Sequence, residues 1–471
     1  MEIHVAEKIT IKSPVPAIRN YCRNKLILDN PDFYKKERMG KWTGNTPKTI
    51  NLYERIGEDL VLPFGCLQDI WQIYPQKDAW SIQICPIRPF DYQSRINLYP
   101  YQYNAVMAAL GRKNGILVMP CGSGKTQSGL DIVASVGGRA LWLTHTQDLL
   151  NQSKKRAECV FDNVGAGTIT AGKVEIGEGI TFATVQTLCK VDLTAYRDTW
   201  DVIIVDECQH CAGSPTRVSQ FYKVMSNLSA RYKIGLTATP KRADGLEQSM
   251  FALLGGIIHE VSREEVAHNT CPIRVTQIPT YWQPADEDIQ GFDGTIDYMK
   301  VIENMTQDNA RFEQIAGYVG GLKGSAIVLA NRVEYLQRMA ALVGTDTENL
   351  YGESNNDAKR VICLSGMRQT KKAKEERRQA LEMLNDGNLD VIFATYQLAK
   401  EGLDVPNLRY VVLATPEKDE TTVIQSVGRV GRKANGKQYG EVLDFVDNFG
   451  MYQGWAKKRR GYYKKIGAKI I

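Results

Sequence analysis

Short apolar runs of strand length recur along the chain from about residue 110 onward, separated by longer helix-like segments. Five of these runs come first, at 115–120, 140–145, 180–185, 201–206 and 232–238. Continuous apolar runs of this length are typical of parallel strands that are buried on both faces, with helices crossing over between them. The pattern therefore predicts a doubly wound α/β domain.

The alternation pauses at the acidic, turn-rich segment 283–297 and then resumes. Five further runs follow, at 325–330, 361–366, 390–395, 410–415 and 441–447. They predict a second α/β unit, with the boundary near 265–275. Residues 1–95 lack this alternation and are rich in Tyr, Trp and Pro, which predicts a small accessory module of mixed α+β structure.

Length and composition agree with several folded domains. A chain of 471 residues is too long for one compact core. Its 43% hydrophobic and 24% charged residues are ordinary for a globular protein and argue against disorder or a coiled coil. The N-terminus does not resemble a secretory signal, and no apolar run reaches the roughly 18 residues that a membrane span needs. We therefore expect a soluble, cytoplasmic protein whose ten cysteines are reduced.

The net charge of +6 is a mild basic bias, and its distribution is more informative. Residues 457–469 hold seven Lys or Arg and no acid. Such a run can be a solvated tail or a contact to phosphates. The interleaved Trp455, Tyr462 and Tyr463 favour the second interpretation.

The stretch "VDECQHC" at 205–211 allows three interpretations. Cys208 and Cys211 form a C-x-x-C that could be a zinc knuckle or a redox pair. Asp206 and Glu207 could be a metal ligand and a general base at the end of a strand. The third possibility is a buried strand end without chemistry.

The stretch "MPCGSGKT" at 119–126 follows one predicted strand and precedes a helix, which is the context of a phosphate-binding loop. Gly122 and Gly124 let backbone N–H groups turn toward phosphates, with Ser123 between them. Lys125 would reach the β- and γ-phosphates of ATP, and the Thr126 hydroxyl would ligate Mg²⁺. Met119 departs from the Gly that usually opens this motif.

Thr126 alone cannot hold a divalent ion, so a carboxylate from a neighbouring strand is required. Asp206 ends a predicted buried strand and supplies it. Glu207, the next residue, can accept a proton from the attacking water. The C-x-x-C lacks an identifiable second Cys/His pair for zinc, so its thiols are interpreted as small residues packed at the strand end.

Together with these residues, the rest of the chain resembles the ordered motifs of superfamily 2 helicases. The matching stretches are "LYPYQYNAV" (98–106), "LWLTHTQDLLNQ" (141–152), "TFATVQTL" (181–188), "GLTATPKRADG" (235–245), "AIVLANRVEYL" (326–336), "ATYQLAKEGLDVP" (394–406) and "QSVGRVGR" (425–432). "TATPKRADG", "EGLDVP" and "DFVDNFG" are most similar to the UvsW-type phage recombination helicases and the XPB-like group.

The resemblance implies two tandem RecA-like domains with parallel sheets. The implied division is 1–95 for an accessory, DNA-binding domain, 96–268 and 269–450 for the two RecA-like domains, and 451–471 for a basic tail. It implies ATP and Mg²⁺ as nucleotide and cofactor. ATP binding would close the interdomain cleft and hydrolysis would reopen it, so alternating grip would move the protein along a strand.

Roles follow by position in the motifs. Glu207, Arg429, Arg432 and Gln425 are the implied catalytic residues; Gln102, Gly402 and Asp404 join the phosphate loop in binding nucleotide. Thr126 and Asp206 are the implied metal ligands. Residues implied to contact nucleic acid are Thr144, His145, Gln186, Asn331, Arg332, Arg368 and Thr395, while Thr237, Thr239 and Gln209 would couple the sites. Gln209 departs from the His that is common at its position.

The resemblance favours forked or branched DNA as partner, held mainly through phosphates by a protein that acts as a monomer, in the host cytoplasm if phage-encoded. The implied function is unwinding or branch migration in recombination, repair or replication. Alternatives are a helicase or translocase of duplex RNA, the motor subunit of a restriction or nuclease complex, and an ATP-gated binding scaffold.

Overall fold

The computed structural model describes residues 1–83, 86–170, 172–212, 215–240, 246–291, 295–344, 359–364, 371–400 and 405–471. Internal contacts divide the chain into two compact units, Met1–Ser262 and Arg263–Ile471. The first unit contains an N-terminal module, residues 1–82, and a first α/β domain, residues 86–262. The second unit is a second α/β domain.

The N-terminal module is a mixed sheet with three short helices. Its elements are β1 (Glu2–Val5), β2 (Lys8–Lys12), α1 (Pro16–Lys25), β3 (Ile27–Asp29), α2 (Pro31–Arg38), β4 (Thr49–Asn51), β5 (Glu54–Ile56), β6 (Asp59–Pro63), α3 (Leu67–Ile73) and β7 (Trp80–Ile82). The main sheet runs β5-β6-β2-β1-β7, with β7 parallel to β1 and the other pairs antiparallel. Strands β3 and β4 form a separate antiparallel pair.

The first α/β domain contains a largely parallel sheet in the order β11-β10-β12-β9-β13-β14-β8-β15. Its elements are α4 (Pro100–Arg112), β8 (Asn114–Val118), α5 (Lys125–Val136), β9 (Ala140–Thr144), α6 (Gln147–Val160), β10 (Gly167–Thr170), β11 (Lys173–Glu175), β12 (Ile180–Thr184), α7 (Val185–Leu188), β13 (Val202–Asp206), α8 (Pro215–Met225), β14 (Tyr232–Thr237), α9 (Glu247–Leu254) and β15 (Ile257–Glu260). All residues of β9, β12 and β13 are buried, as the continuous apolar runs predict.

The second α/β domain has a parallel sheet in the order β18-β19-β17-β20-β21-β16-β22. Its elements are α10 (Arg263–Val266), β16 (Ile273–Pro279), α11 (Asp286–Ile289), α12 (Tyr298–Gln307), α13 (Asn309–Gly320), β17 (Ala326–Ala330), α14 (Val333–Gly344), β18 (Val361–Leu364), α15 (Lys371–Asn385), β19 (Val391–Thr395), α16 (Tyr396–Lys400), β20 (Tyr410–Leu413), α17 (Glu420–Gly428), β21 (Gly440–Val446), α18 (Gly450–Lys465) and β22 (Lys469–Ile470). The expected fold class, two tandem parallel-sheet α/β domains with a mixed N-terminal module, is confirmed.

Each of the ten apolar runs corresponds to an observed strand within one or two residues at either end. The sequence pattern missed strands such as β16, where buried and exposed side chains partly alternate. Because β16 lies between β21 and the short β22, it is less enclosed than a central strand and does not need a continuous apolar run.

The basic C-terminal segment differs from the expected tail. It forms helix α18, and β22 pairs with β16. Arg459 is 1% exposed and bonds Asp444 of β21 through Nη2–Oδ1 at 2.7 Å and Nε–Oδ2 at 3.1 Å. The Tyr463 hydroxyl, also buried, donates to Asp444 Oδ2 at 2.8 Å. Two residues of the basic aromatic run therefore belong to the core of the second domain.

The N-terminal module and the first α/β domain share one hydrophobic cluster. Ala212, Val218 and Ala252 of the domain are buried together with apolar residues of the module such as Ile9 and Leu62. At this junction Lys233, at the start of β14, is completely buried and donates to the Met225 carbonyl at 3.2 Å and, from the module, the Glu7 carbonyl at 3.4 Å. The module is therefore packed against its neighbour as part of a common core.

Candidate active site

The carboxyl ends of neighbouring parallel strands place the predicted motifs along one edge of the first sheet. Thr237 of β14 is in register with Val118 of β8, just before the phosphate loop. Asp206 of β13 is in register with Leu236, one residue before Thr237. This edge is where ligands collect in open parallel sheets.

The phosphate loop has the backbone that its sequence requires. Gly122 and Gly124 have φ of 80° and 78°, in the left-handed region that favours glycine. Helix α5 begins at Lys125, so its N-terminal N–H groups lie beside the loop. Met119 is fully buried and its N–H donates to the Thr237 carbonyl at 2.8 Å. The non-glycine residue at this position is thus accommodated as a core side chain.

Gln102 of α4 packs beneath this loop. Its Nε2 donates to the Ser123 carbonyl at 2.8 Å, and its Oε1 accepts from Tyr99 N at 2.9 Å. A Cβ added to Gly124 would lie only 2.3 Å from Gln102 Nε2, so glycine is needed there for packing as well as for conformation. Gln102 is 2% exposed, and both its amide nitrogen and its amide oxygen bond to the protein. In this structure its side chain therefore stabilises the loop.

Lys125 and the acid pair form a compact charged centre. Lys125 Nζ lies 3.6 Å from Glu207 Oε1, and both side chains are largely buried. Burial alone would lower the pKa of Lys125, but Glu207, with Cys121 and Asp206, outweighs burial and raises it. Burial, followed by repulsion from Glu207, raises the pKa of Asp206. One ammonium thus faces two adjacent carboxylates.

Glu207 has φ of 51°, a left-handed backbone that side chains larger than Asn rarely adopt. Its N–H donates to Asp206 Oδ1 at 3.0 Å, and its carbonyl accepts from His210 N at 3.0 Å. Strained conformations of this kind cost about 1–3 kcal/mol and cluster at functional sites. The strained residue is the one that the sequence assigns as general base.

A continuous set of hydrogen bonds connects Glu207 with the strand β14. Gln209 Nε2 donates to Glu207 Oε2 at 2.8 Å, and Gln209 Oε1 accepts from Thr237 Oγ1 at 2.6 Å. Thr237 Oγ1 in turn accepts from Thr239 N at 3.0 Å. The three predicted coupling residues are therefore brought together, and Gln209 makes both bonds from a side chain that is 1% exposed.

The donor set fits a nucleotide with a divalent ion. Among the described residues, the buried Ser123 Oγ and Thr239 Oγ1 have no hydrogen-bond partner. A buried hydroxyl without a partner is costly, and phosphate oxygens would satisfy one at the loop. The Thr126 hydroxyl and the Asp206 carboxylate would supply hard oxygen ligands of the kind that Mg²⁺ prefers, and the ion would neutralise the excess negative charge of the acid pair.

The C-x-x-C thiols lie in the core of the domain. Cys208 and Cys211 are both 0% exposed and belong to one hydrophobic cluster with Val205 and Met250. Burial raises the pKa of both thiols. A Cβ added to Gly235 would lie 2.8 Å from Cys208 Sγ, so the thiol packs tightly against β14.

The residues of the first domain that are expected to contact nucleic acid differ in their exposure to solvent. Thr144 is 0% exposed and donates to the Thr146 carbonyl, while His145 is 7% exposed and stacks on His210 with ring centroids 3.5 Å apart. These two side chains are therefore not presented at the surface. The half-buried Gln186 donates to the His145 carbonyl at 2.8 Å. Thr144 and His145 support the strand end instead of forming its outer surface.

In the second domain, Asn331 and Thr395 follow or end adjacent strands, since Ala330 of β17 is in register with Thr395 of β19. Asn331 is exposed and Thr395 is half-buried. Arg332 is half-buried, with Nη2 3.9 Å from Met299 Sδ. Arg368, the second expected arginine contact of this domain, lies outside the described residues.

The predicted catalytic residues of the second domain lie at one end of α17. Arg429 is half-buried and donates from Nε and Nη2 to the Ala399 carbonyl at 3.1 and 2.6 Å. Arg432 is also half-buried, and within the described structure the buried Oε1 of Gln425 has no hydrogen-bond partner. Gly402 and Asp404 lie outside the described residues.

Sequence reasoning missed two residues that contact the predicted site. Ser153 of α6 donates to Asp206 Oδ2 at 3.3 Å, and the Tyr101 hydroxyl donates to the Ser123 carbonyl at 3.2 Å. Tyr101 lies within a recognised motif and could have been noted beside Gln102. Ser153 carries no local signal, because only the packing of α6 against β9 and β12 of the sheet brings it to Asp206.

Comparison with known proteins agrees with this geometry. Residues 95–242 match the family described as the res subunit of type III restriction enzymes, and residues 311–434 match the helicase conserved C-terminal domain. The DNA 3'-5' translocase XPB2 of Sulfurisphaera tokodaii is 26% identical over 363 residues, covering 72% of this chain and 80% of that protein. The ATP-dependent DNA helicase uvsW of Enterobacteria phage T4 is 21% identical over 398 residues, covering 82% and 75%.

A solved structure, the ATP-dependent Type ISP restriction-modification enzyme LlaBIII bound to DNA, has a TM-score of 0.58 at 17% identity. The match covers 82% of this chain and 31% of that one, and it supports the fold. Fold and site together define a P-loop ATPase with two RecA-like domains. The chain belongs to superfamily 2 of the helicases, whose members use ATP, and the expected relationship to the XPB-like and UvsW-type groups is confirmed.

Proposed function

We propose that this protein is an ATP-driven motor that unwinds or branch-migrates forked and junction DNA in recombination, repair or replication. The observation that carries the proposal is the bonded series from Lys125 through Glu207 and Gln209 to Thr237. It connects a phosphate loop with strand ends on the same sheet edge. The two relatives named above as DNA translocase and DNA helicase support DNA as the substrate.

Hydrolysis is assigned to the charged centre. Lys125 would bind the β- and γ-phosphates, and Glu207 would accept a proton from the attacking water. Thr126 and Asp206 would hold Mg²⁺, which neutralises phosphate charge when bound. Arg429, Arg432 and Gln425 are proposed as the catalytic residues that the second domain supplies.

Coupling is assigned to the hydrogen bonds of Gln209. Loss of the γ-phosphate changes the charge beside Glu207, and Gln209 joins Glu207 to Thr237 on β14. A shift of Glu207 would therefore be transmitted through Gln209 and Thr237 to the segment that follows Thr237. Gln186, Asn331, Arg332 and Thr395 are retained as proposed nucleic-acid contacts, whereas Thr144 and His145 are reassigned as supporting residues.

ATPase and unwinding assays on forks, four-way junctions, blunt duplex DNA, single-stranded DNA and duplex RNA test the proposal. We expect forked and junction DNA to stimulate ATP hydrolysis most and to be unwound by the single purified chain. Stimulation by RNA alone would exclude DNA as substrate. Unwinding that requires a second polypeptide would favour the motor subunit of a restriction or nuclease complex.

Glu207→Gln tests the proposed base directly, because it keeps the shape of the side chain and removes its basicity together with the charge that faces Lys125. We expect DNA-stimulated kcat to fall by at least about 100-fold, the contribution typical of a general base, while ATP binding is retained. Lys125→Ala should instead weaken ATP binding. If Glu207→Gln retained both ATPase and unwinding, the assignment of the base would be wrong.

A further inference from the structure

Residues 27–51 form a distinct projection of the N-terminal module, which we call the tryptophan arm. It consists of β3, helix α2, a loop at 39–48 and β4. The arm begins and ends in the module core, because Leu26 and Leu52 on either side are 2% and 1% exposed. The antiparallel pairing of β3 with β4 closes its base.

Hydrogen bonds order the loop at both ends. The side chain of Asn30, the N-cap of α2, donates to the Pro47 carbonyl at 2.7 Å, and Asn30 N donates to the Lys48 carbonyl at 3.0 Å. Lys36 Nζ donates to Thr46 Oγ1 at 2.6 Å, and Lys41 N donates to the Lys36 carbonyl at 2.9 Å. The loop is therefore a defined support for the side chains it presents.

Trp42 lies in this ordered loop and is 86% exposed. Each of the other six tryptophans is at most 37% exposed. The Trp42 ring lies close over Gly44, where an added Cβ would be 2.6 Å from Cζ3. Gly44 has φ of 47°, so glycine both permits the turn and leaves room for the indole. A large aromatic ring is thus presented to solvent without a packing role in the module.

The segment that carries Trp42 is strongly positive. Residues 35–48 contain five Lys or Arg and one acid, Glu37. Lys35, Arg38, Lys41 and Lys48 are all exposed. An aromatic ring on which a base can stack, surrounded by cations that contact phosphates, is the combination by which proteins hold single-stranded nucleic acid.

We infer that the tryptophan arm binds unpaired nucleotides, with Trp42 stacking on a base and the neighbouring lysines contacting the backbone. The inference rests on the proposed function, because the single-stranded arm of a fork supplies such nucleotides. It adds a binding site separate from the sheet edge of the first α/β domain. Stacking is indifferent to base identity, so the arm recognises strand state and not sequence.

Binding of labelled oligothymidylate, oligouridylate and blunt duplex DNA to the full chain tests this inference. Trp42→Ala should weaken single-strand binding about tenfold, within the range of one stacked base, and leave blunt duplex binding unchanged. Trp42→Phe should restore most of the affinity. Lys41→Gln should reduce the slope of log K against log salt by about 0.7, as expected for one lost phosphate contact.

Ile56→Ala is the matched control, since Ile56 is 63% exposed on the main sheet of the same module. It should bind like the unaltered protein. Unchanged single-strand binding by Trp42→Ala, or an equal loss for blunt duplex, would overturn the stacking site. Trp42-dependent binding to anionic phospholipid vesicles with unchanged oligonucleotide binding would show that the arm is a membrane contact.

ATPase stimulation separates the two proposals. If the unaltered protein shows normal DNA stimulation while Trp42→Ala binds single strands normally, only the stacking inference fails. If no DNA stimulates ATP hydrolysis, the proposed motor function fails, even where Trp42-dependent oligonucleotide binding is present. Comparison of oligothymidylate binding with oligouridylate binding shows whether the arm prefers DNA or RNA.

Discussion

Gln209 occupies the position where the related motif commonly has His, and the structure gives this substitution a physical basis. A glutamine amide carries a donor and an acceptor that do not depend on pH. Here the donor bonds Glu207 and the acceptor bonds Thr237, so both carbonyl and amino groups are used. The residue therefore keeps the connection that coupling requires while being uncharged.

Gln209→Ala should separate ATP hydrolysis from unwinding. The change removes two hydrogen bonds, together about 1–3 kcal/mol. It leaves the Thr237 hydroxyl proton without its acceptor, although Thr237 Oγ1 still accepts from Thr239 N. We expect the number of base pairs opened per ATP to fall about tenfold, with a smaller change in ATPase rate. Gln209→His should recover much of the coupling. The ATPase rate and the unwinding rate of each variant are measured in parallel. Equal losses of the two rates would contradict a coupling role for Gln209.

At the scale of elements, two buried ion pairs hold strand β21 and the residue that follows it. Asp444 pairs with Arg459 of α18, and Asp447 pairs with Arg311 of α13, whose Nε lies 2.6 Å from Asp447 Oδ1. Both arginines donate further bonds to carbonyls, from Arg459 to Glu417 and from Arg311 to Ala414. These buried charges are paired and bonded, which is the condition under which they are tolerated in a core.

Arg459→Met and Arg460→Met should therefore differ strongly, although the two residues are neighbours in a basic run. Arg459→Met leaves the buried Asp444 carboxylate without its only cationic partner among the described residues, although the Tyr463 hydroxyl still donates to it. The loss should destabilise the second domain by about 3–5 kcal/mol. Arg460 is exposed, so its replacement should change stability by less than about 0.5 kcal/mol. Thermal unfolding of the two variants measures the difference. Similar stability for both would mean that the segment behaves as a solvated tail.

At the scale of the molecule, the N-terminal module is structurally part of the first unit. Its apolar residues share a core with Ala212, which follows the acid pair, and with Ala252 of α9. Removing residues 1–95 would expose this core, so a deletion would change folding as well as substrate recognition. Point substitutions such as Trp42→Ala are the more specific way to assign the module's role.

Lys233, at the junction of module and domain, makes this packing sensitive to pH. Burial lowers the pKa of Lys233 to about 7, whereas an unfolded lysine has a pKa of about 10.4. Between these values the unfolded chain holds a proton that the folded chain does not. The contribution of this residue to stability therefore rises as pH increases from 7 to 10.

Lys233→Met removes the titration, so the stability of the unaltered protein relative to this variant should increase from pH 7 to pH 10. The slope should be at most about 1.4 kcal/mol per pH unit. Thermal midpoints of the two proteins across this range provide the measurement. Lys223→Met, at an exposed position on α8, is the control and should show no such trend. A pH-independent difference for Lys233→Met would show that the ammonium is charged throughout.

The sequence alone determined the strands, the two-domain plan and the central charged residues. Buried parallel strands require continuous apolar runs, and a phosphate loop requires glycine, lysine and a hydroxyl at fixed spacing, so both leave local signals. The sheet edge then follows, because Val118, Asp206 and Thr237 end or follow strands that must be neighbours. Strand β16, between β21 and the short β22, was missed because its partial burial does not demand such a run.

Only the tertiary structure decided which side chains are exposed and so available to bind a partner. Arg459 and Arg460 are equivalent in sequence, but α18 buries the first against Asp444 and exposes the second. His145 is polar in a contact motif, yet it is stacked on His210 in the interior. Burial and pairing depend on elements far apart in the chain. For the same reason Trp42, an ordinary aromatic in the sequence, becomes a candidate binding residue only when the fold leaves it uncovered.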